Sequence, residues 1–467
     1  METVDGLASA QRGLWFIQSL DPVSPAYLMC LAFDIFGEID DDAMVRSVAW
    51  IVERHPVLRT AFEEDENGEP RTVVYDGIGV DFKFEDLSSR PNPDVEVEEV
   101  LRAESNRSFD LHCPPLLRGR LLTLGAARHV LVLVLHHIVG DDETLAVLLE
   151  ELGIAYAAFR TGQQPCVSEA VDYREYVKWE REWLASDDYS CQVDYWRGEL
   201  GGTVPIDLPH SGRPQAQVWS GGTLRTRLST EETAAVLDFS RKNGATPFIT
   251  LLSVFGGVLH RWTAQPDVVV GTSVSLRDQA RFERTVGLLV NSVALRTRWD
   301  GDPSLRIAVE QVRRATFEAL ERRHVSLDQA AAALPELRIA DGNPVFQVAF
   351  GFLSGAGGHL RGLQLAGLRA EPRWVQTSTS KFALAVDCMV EDDRLLCVLH
   401  WGERWFDQDL AELVLRHFTE AIRFTMREPD VSVGKWVFDP NQDAANGIPC
   451  TADWLSASNP FRATIEV

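Results

Sequence analysis

The sequence predicts a mixed α/β fold of two lobes, and three observations carry that prediction. A continuous apolar run, Leu131 to Leu135, is typical of a strand that is buried on both faces. Apolar runs of this kind alternate with helical patterns in the first half of the chain, and the alternation returns in the second half. A chain of 467 residues is too long for one small hydrophobic core, and its length is typical of about two to three domains.

The first half of the chain gives helices and strands in alternation. Residues 40–55 open with acidic side chains, which favour a helix N-terminus, and carry an apolar stripe at helical spacing. Similar patterns predict helices over 9–20, 143–159 and 171–197, and strands over 26–36 and 130–138.

The second half repeats this style after an extended linker over 201–214. We place the lobe boundary beside that linker, with an N-terminal lobe of residues 1–197 and a C-terminal lobe of residues 198–467. Thr246 and Pro247 suit the N-cap and first residue of a helix. That helix is predicted over 248–262, strands are predicted over 267–274, 288–296 and 345–353, and an irregular tail follows from about Asn441.

The composition argues against several classes of protein. A net charge of −24 disfavours nucleic-acid binding, which needs a basic patch. The seven cysteines are scattered and form no CxxC pair, so we expect neither a disulfide framework nor a metal site. The chain shows no signal segment and no apolar run near the roughly 20 residues of a membrane span, so we expect a cytoplasmic protein.

The strongest chemical signal is a pair of histidines at the end of the buried run. His136 and His137 are followed by Asp141 and Asp142. Imidazole suits proton transfer near neutral pH, and a strand end holds it rigidly beside a loop. Side chains alternate along a strand, so the two rings point to opposite faces. His137 is the candidate base, with a structural histidine at a strand end as the alternative. We interpret His136 as mainly structural, with a direct role as the alternative.

Six segments in order carry a resemblance to a known family. Their residues are 7–16 (LASAQRGLWF), 54–60 (RHPVLRT), 136–142 (HHIVGDD), 172–176 (DYREY, followed by Trp179), 286–292 (VGLLVNS, followed by Arg296) and 343–347 (NPVFQ). Together they resemble the motifs of condensation domains of nonribosomal peptide synthesis, which have the chloramphenicol acetyltransferase-like fold. The resemblance runs from about Leu7 to Asp439.

This resemblance implies an architecture and a reaction. Two similar lobes would meet in a V around a central tunnel, with the paired histidines at its middle. The expected enzyme is an acyltransferase of natural-product and antibiotic biosynthesis. It takes an acyl or aminoacyl group from the phosphopantetheine thioester of a peptidyl carrier protein and passes it to the amine or alcohol of a small acceptor, giving an amide or ester. We expect no bound cofactor, because the carrier's arm brings the donor.

The resemblance also assigns supporting residues. Asp141 is expected to form an ion pair with Arg277 that holds the loop, with Arg59 as the alternative partner. A buried carboxylate without a cation would be costly. Asn291 is expected to support the floor between the lobes, with a polar strand residue paired to backbone as the alternative.

Two departures from the family pattern stand out. Asp142 occupies the position of the motif glycine, where it would tolerate an unusual backbone, cap the following helix and add a negative charge beside the reaction. Such a charge favours the imidazolium and would raise the pKa of His137, which favours an alcohol acceptor. The second departure is 324–329 (HVSLDQ), where a family motif is largely lost. We therefore expect one carrier-bound donor and one small soluble acceptor.

Competing functions remain open within the same fold. An acyl-CoA-dependent alcohol acyltransferase would carry DFGWG near its C-terminus, which this sequence lacks. A non-catalytic recruitment domain would keep the acidic pair but replace the second histidine, whereas His137 is retained. An epimerisation domain would add signature blocks that are not evident, and a heterocyclisation domain would replace the histidines with aspartate. No adenylation or carrier segment is visible, so we expect a free-standing enzyme.

Overall fold

The computed structural model describes residues 2–4, 6–211, 215–332, 334, 345–353 and 363–436. Two parts of the sequence predictions lie outside these residues. They are the first two residues of the motif segment 343–347 and the irregular tail from about Asn441.

The described chain contains both strands and helices, as the sequence predicted. The strands are β1 (Glu2–Val4), β2 (Leu28–Phe36), β3 (Thr60–Glu64), β4 (Pro70–Val74), β5 (Asp81–Asp86), β6 (Leu117–Gly125), β7 (Arg128–His136), β8 (Gly221–Arg227), β9 (Asp267–Ser275), β10 (Val290–Arg298), β11 (Val348–Leu353), β12 (Arg369–Arg373), β13 (Leu384–Glu391) and β14 (Arg394–Gly402). The α-helices are α1 (Ser9–Leu20), α2 (Asp41–Arg54), α3 (Pro93–Asn106), α4 (Asp142–Arg160), α5 (Tyr173–Leu184), α6 (Asp187–Leu200), α7 (Thr230–Lys242), α8 (Pro247–Thr263), α9 (Leu305–Glu321), α10 (Leu327–Ala332) and α11 (Gln408–Arg427).

The segment 171–197, predicted to be helical, contains two helices. It forms α5 and most of α6, with a break at Ala185 and Ser186. The hydroxyl of Ser186 accepts a hydrogen bond from the backbone N–H of Tyr189 at 3.3 Å, and acidic residues open α6 at Asp187 and Asp188. These are the features of a new helix N-terminus, because the Ser186 hydroxyl supplies an acceptor for one of the first N–H groups of α6.

The chain divides into two compact units. The first comprises Met1–Tyr189, Ser275–Asn291 and Ala356–Thr377, and the second comprises Ser190–Val274, Ser292–Gly355 and Ser378–Val467. Two segments that the sequence placed in the C-terminal lobe thus belong to the first unit. The reason is hydrogen bonding: β12, from the second of these segments, pairs antiparallel with β2.

The first unit contains a five-stranded sheet in the order β12-β2-β7-β6-β5 and a separate three-stranded sheet. Strand β7 is central in the larger sheet, which explains the unbroken apolar run that predicted it. One hydrophobic core joins this strand to α2, α3 and α4. The apolar packing fixes the end of β7, where the histidines lie.

The second unit contains a six-stranded sheet in the order β10-β9-β11-β13-β14-β8. Helix α8 packs against α7, α9 and α11, which explains why almost all of its side chains are buried. Thr246 caps α8 through its hydroxyl, which accepts from Ile249 N at 3.2 Å, and Pro247 is the first helical residue, as predicted. Among the described residues, no helix combines the length and apolar character that a membrane crossing requires.

Helix α1 is anchored in the first unit by a buried carboxylate. Glu180 on α5 is 6% exposed, and it accepts a hydrogen bond from the backbone N–H of Ser9 at 2.8 Å. Burial raises the pKa of Glu180 to about 6, although the Ser9 bond acts in the opposite direction. The carboxyl therefore holds its proton more tightly in the folded chain than in the unfolded chain.

This pKa predicts a pH-dependent effect of Glu180→Gln. Because the pKa of Glu180 is raised in the folded chain, its protonated carboxyl stabilises the fold fully below about pH 4.5. This contribution is lost as the pH rises through about 6. We expect the variant to be more stable than wild type by about 2 kcal/mol at pH 8 and to lose most of that advantage at pH 5. Denaturant unfolding at both pH values measures this, and an advantage of equal size at both would contradict it.

Candidate active site

The two histidines are held by both strands that flank β7. The backbone N–H of His136 donates to Leu116 O at 3.1 Å, beside β6. The backbone N–H of His137 donates to Tyr27 O at 2.8 Å, beside β2. The chain then forms a short 3₁₀ turn over His137–Val139. The sheet ladder therefore extends to the candidate base and fixes its main chain.

The ring of His137 is oriented by the carbonyl of Gly140. Nδ1 of the half-buried ring lies 2.6 Å from Gly140 O. A carbonyl only accepts hydrogen bonds, so Nδ1 carries the hydrogen and the neutral ring has its lone pair on Nε2. The geometry thus sets both the tautomer and the nitrogen that can take a proton.

Gly140 is required at its position for reasons of packing. Its backbone is extended, with φ −175° and ψ 168°, which any residue adopts. A Cβ atom there would lie 2.7 Å from a methyl group of Leu135 and 2.8 Å from one of Thr144. A side chain would displace the carbonyl that orients His137.

His136 is buried, and its ring contacts protein groups on both nitrogens. Nδ1 accepts from the backbone N–H of Ile138 at 3.1 Å, and Nε2 lies 3.4 Å from Gln18 Oε1. Phe109 contacts the ring edge-to-face, with centroids 6.3 Å apart. These contacts support the structural interpretation of His136.

The predicted pair of Asp141 with Arg277 is present. Two guanidinium nitrogens of Arg277 donate to the two carboxylate oxygens at 2.8 and 2.9 Å, and both side chains are 3% exposed. The carboxylate also accepts from the backbone N–H groups of Thr144 at 2.9 Å and Leu289 at 2.7 Å. Such saturation is what a buried ion pair needs to offset its desolvation.

Arg277 and Thr144 extend this network into the segment 275–291. The guanidinium donates to the carbonyls of Thr285 at 3.0 Å and Gly287 at 3.3 Å. The Thr144 hydroxyl donates to Gly287 O at 2.8 Å and accepts from Gly287 N at 3.0 Å. Tyr173 adds a hydrogen bond to Leu288 O at 2.9 Å. These hydrogen bonds join the segment to the start of α4.

The other predicted site residues have different surroundings. Arg59, the alternative partner of Asp141, instead donates to Asp76 Oδ1 and to Tyr75 O, both at 2.7 Å. Asn291 is 9% exposed and lies near the start of β10. Its predicted supporting role stays a prediction.

The predicted capping role of Asp142 is wrong, because Asp141 is the N-cap of α4. Asp142 is the first helical residue and is exposed. Its φ is therefore helical, so replacing a glycine here brings no backbone strain. Its charge suits the helix N-terminus. Its predicted influence on His137 stays a prediction.

The altered segment 324–329 has a local role in the second unit. The backbone N–H of Ser326 donates to Gln329 Oε1 at 2.9 Å, and the backbone N–H of Gln329 donates to the Ser326 hydroxyl at 3.3 Å. This reciprocal pair is a capping box for α10.

Sequence reasoning missed two residues that contact the histidine turn. Gln11 donates to Ile138 O at 3.0 Å, and Gln18 contacts His136. Gln11 lies within the opening motif, which was the available signal, whereas Gln18 gave none.

The ion pair predicts a large stability effect. Asp141→Ala removes the buried carboxylate and leaves Arg277 beside the half-exposed carboxylate of Glu143, at 3.1 Å, so we expect a loss at the lower end of roughly 3–5 kcal/mol in unfolding free energy. Glu69→Ala is the matched control, because its pair with Arg12 is 55% and 65% exposed and such pairs contribute at most about 1 kcal/mol. Equal unfolding free energies of Asp141→Ala and wild type would refute the structural role.

Comparisons with known proteins agree with this geometry. The condensation domain family model matches residues 1–445. The malpinin synthetase of Mortierella alpina is 32% identical over 429 residues, which cover 91% of this chain and 5% of that protein. The chain thus spans a small part of the synthetase's length.

Solved structures share the fold. The first condensation domain of the calcium-dependent antibiotic synthetase, in complex with a substrate analogue, has a TM-score of 0.79 at 22% identity and covers 93% of this chain and 98% of its own. The X-domain from teicoplanin biosynthesis has a TM-score of 0.83 at 22% identity and covers 92% and 97%. With the family match over nearly its whole length, the chain belongs to the condensation domain family, whose members in peptide synthetases are acyltransferases that form amide or ester bonds.

Proposed function

We propose that this chain transfers an acyl or aminoacyl group from the phosphopantetheine thioester of a peptidyl carrier protein to a small soluble amine or alcohol. The observation that carries the proposal is the hydrogen bond from His137 Nδ1 to Gly140 O at 2.6 Å. It leaves the basic lone pair on Nε2, at the end of a rigid strand, in a chain of the condensation domain family.

In the proposed reaction, the acceptor's nitrogen or oxygen attacks the thioester carbon while Nε2 of His137 takes its proton. The new C–N or C–O bond forms, the C–S bond breaks, and the imidazolium returns the proton to the departing thiolate. Gly140 O continues to accept from Nδ1–H throughout, which stabilises the charged ring. An amine needs mainly positioning, whereas an alcohol depends on the base.

The acidic residues have separate roles in this proposal. Asp141 is engaged with Arg277 and two backbone N–H groups, so it holds the turn. Asp142 is exposed, and its proposed role is an electrostatic influence on the choice of acceptor. His137 thus carries the proton transfer, with His136 and Asp141 maintaining the turn around it.

The direct test offers one loaded carrier to matched amine and alcohol acceptors and identifies products by mass spectrometry. An amide or ester of the soluble acceptor would support the proposal. Reaction with only a carrier-tethered amine would refute the soluble acceptor. Running the same competition with Asp142→Gly tests the predicted influence of that carboxylate, and an unchanged alcohol-to-amine ratio would remove it.

His137→Ala is expected to fold normally and to lose turnover by roughly 10²–10⁴-fold, because the proton acceptor is gone. His112→Ala is the control, since that side chain is 61% exposed and contacts Asp110 at 3.0 Å. Initial rates and thermal unfolding are measured for both. Full activity in a folded His137→Ala protein would exclude the residue from the mechanism.

The outer face of α1 offers a surface for the proposed carrier. Phe16 and Leu20 lie one helical turn apart and are 57% and 72% exposed, and Val23 just beyond the helix is 76% exposed. Exposed apolar side chains grouped in this way are typical of a protein-binding site. We assign the carrier protein to this face within the proposed function.

Leu20→Asp tests that assignment. We expect about a tenfold higher KM for the carrier-bound donor, about 1.4 kcal/mol, and an unchanged KM for the same acyl group on free pantetheine. Val95→Asp, at a site on α3 that is 58% exposed, is the matched control. Equal KM values of Leu20→Asp and wild type for the carrier-bound donor would move the docking site elsewhere.

A further inference from the structure

The inner face of α1 buries two amides. Within this helix the buried side chains are Gln11 and Gln18, at 2% and 4% exposure, and the partly buried Leu14 and Trp15 between them pack on the core. Residues seven apart lie on one face of a helix, so both glutamines point the same way. Buried amides cost free energy unless they are hydrogen-bonded, so their partners explain why two polar side chains are the most buried of this helix.

Both glutamines bind the turn that carries His137. Gln11 Nε2 donates to Ile138 O at 3.0 Å, and Gln11 Oε1 accepts from Ala8 N at 3.3 Å, which locks the amide. Gln18 Nε2 donates to Pro22 O at 2.9 Å, so its Oε1 faces His136.

The contact of Gln18 fixes the tautomer of His136. Because Gln18 Oε1 only accepts, His136 Nε2 carries the hydrogen and Nδ1 is left to accept from Ile138 N at 3.1 Å. Both backbone polar groups of Ile138, the residue after His137, are therefore held from α1: its carbonyl directly and its N–H through His136.

We propose that Gln11 and Gln18 are positioning residues for acyl transfer, which hold the Ile138 peptide groups so that the His137 ring keeps its bond to Gly140 O. This inference rests on the proposed function, and it assigns to α1 a role that neither the motif nor the base itself specifies. The inner face of α1 governs the rate of the chemical step, whereas the outer face governs carrier binding.

Isosteric variants separate the two faces. Gln11→Met and Gln18→Met keep volume and remove the hydrogen bonds. We expect kcat to fall about 10–100-fold, as a displaced catalytic group does, with KM for the carrier-bound donor unchanged. For Leu20→Asp we expect the opposite result, a higher KM for the carrier-bound donor with kcat unchanged. Gln192→Met, at a glutamine on α6 that is 9% exposed, is the matched control and should keep its kcat.

Gln11→Glu adds a readout that a simple packing role would not change. A carboxylate cannot donate to Ile138 O, whereas the protonated acid can. An ordinary Glu has a pKa of about 4.3, and burial at this position raises it, so the ratio of variant to wild-type kcat should rise as the pH falls from about 8 to about 5, after correction for any difference in unfolding. A ratio that is independent of pH would overturn the role of Gln11.

Histidine ring ¹⁵N shifts provide a test that needs no turnover. Wild type should show an Nε2–H tautomer at His136 and an Nδ1–H tautomer at His137, and Gln18→Met should mix them. Unchanged tautomers together with unchanged kcat would overturn the proposal, as would an equal loss in Gln192→Met. If wild-type protein forms no product, the proposed function fails, and the ring shifts alone decide whether the glutamines position the turn.

Discussion

The buried fork between Asp141 and Arg277 is the interaction on which the rest of the site depends. It joins the start of α4 to the segment 275–291, and it places a charged pair where water cannot solvate it. Removing two charges from water costs several kcal/mol for each ion. The cost is recovered only when the remaining donors and acceptors of the pair are hydrogen-bonded. Backbone N–H groups of Thr144 and Leu289 complete the carboxylate, so the loop between β7 and α4 has a single well-satisfied arrangement.

This arrangement lets a weak base act from a precise position. At Nδ1 of His137 the partner is the neutral carbonyl of Gly140, 2.6 Å away. A neutral partner orients the ring and sets the tautomer without adding negative charge beside it. Asp141 contributes through architecture, because its carboxylate is engaged by the ion pair with Arg277.

Much of this site was predictable from sequence because its signals are local. A central strand must be apolar throughout, so the run before His136 identified β7, and ordered motifs supplied Arg277 as the partner of Asp141. Adjacent acids both suit an N-cap, so only the backbone angles could show that Asp141 takes it. Leu14 and Trp15 of α1 pack on the apolar core, but the most buried side chains of this helix are Gln11 and Gln18, and apolar periodicity gives no signal for a buried amide. No local sequence pattern shows that the distant strand β12 pairs with β2 at the sheet edge. The sequence therefore did not predict that the first unit is discontinuous along the chain.

The edge formed by β12 has a consequence for how the chain is made. Arg373 on this strand binds Asp34 on β2 through two hydrogen bonds of 3.0 and 2.8 Å, across 339 positions of sequence. During synthesis, β2 leaves the ribosome long before its neighbour exists, so its outer backbone groups lack these partners until residue 373 has emerged. An unpaired edge is a template for wrong pairing. In a fragment that ends at the linker over 201–214, the edge of β2 would stay unpaired permanently. Exchange of modules between synthetases at this linker would therefore separate the sheet from its edge strand β12.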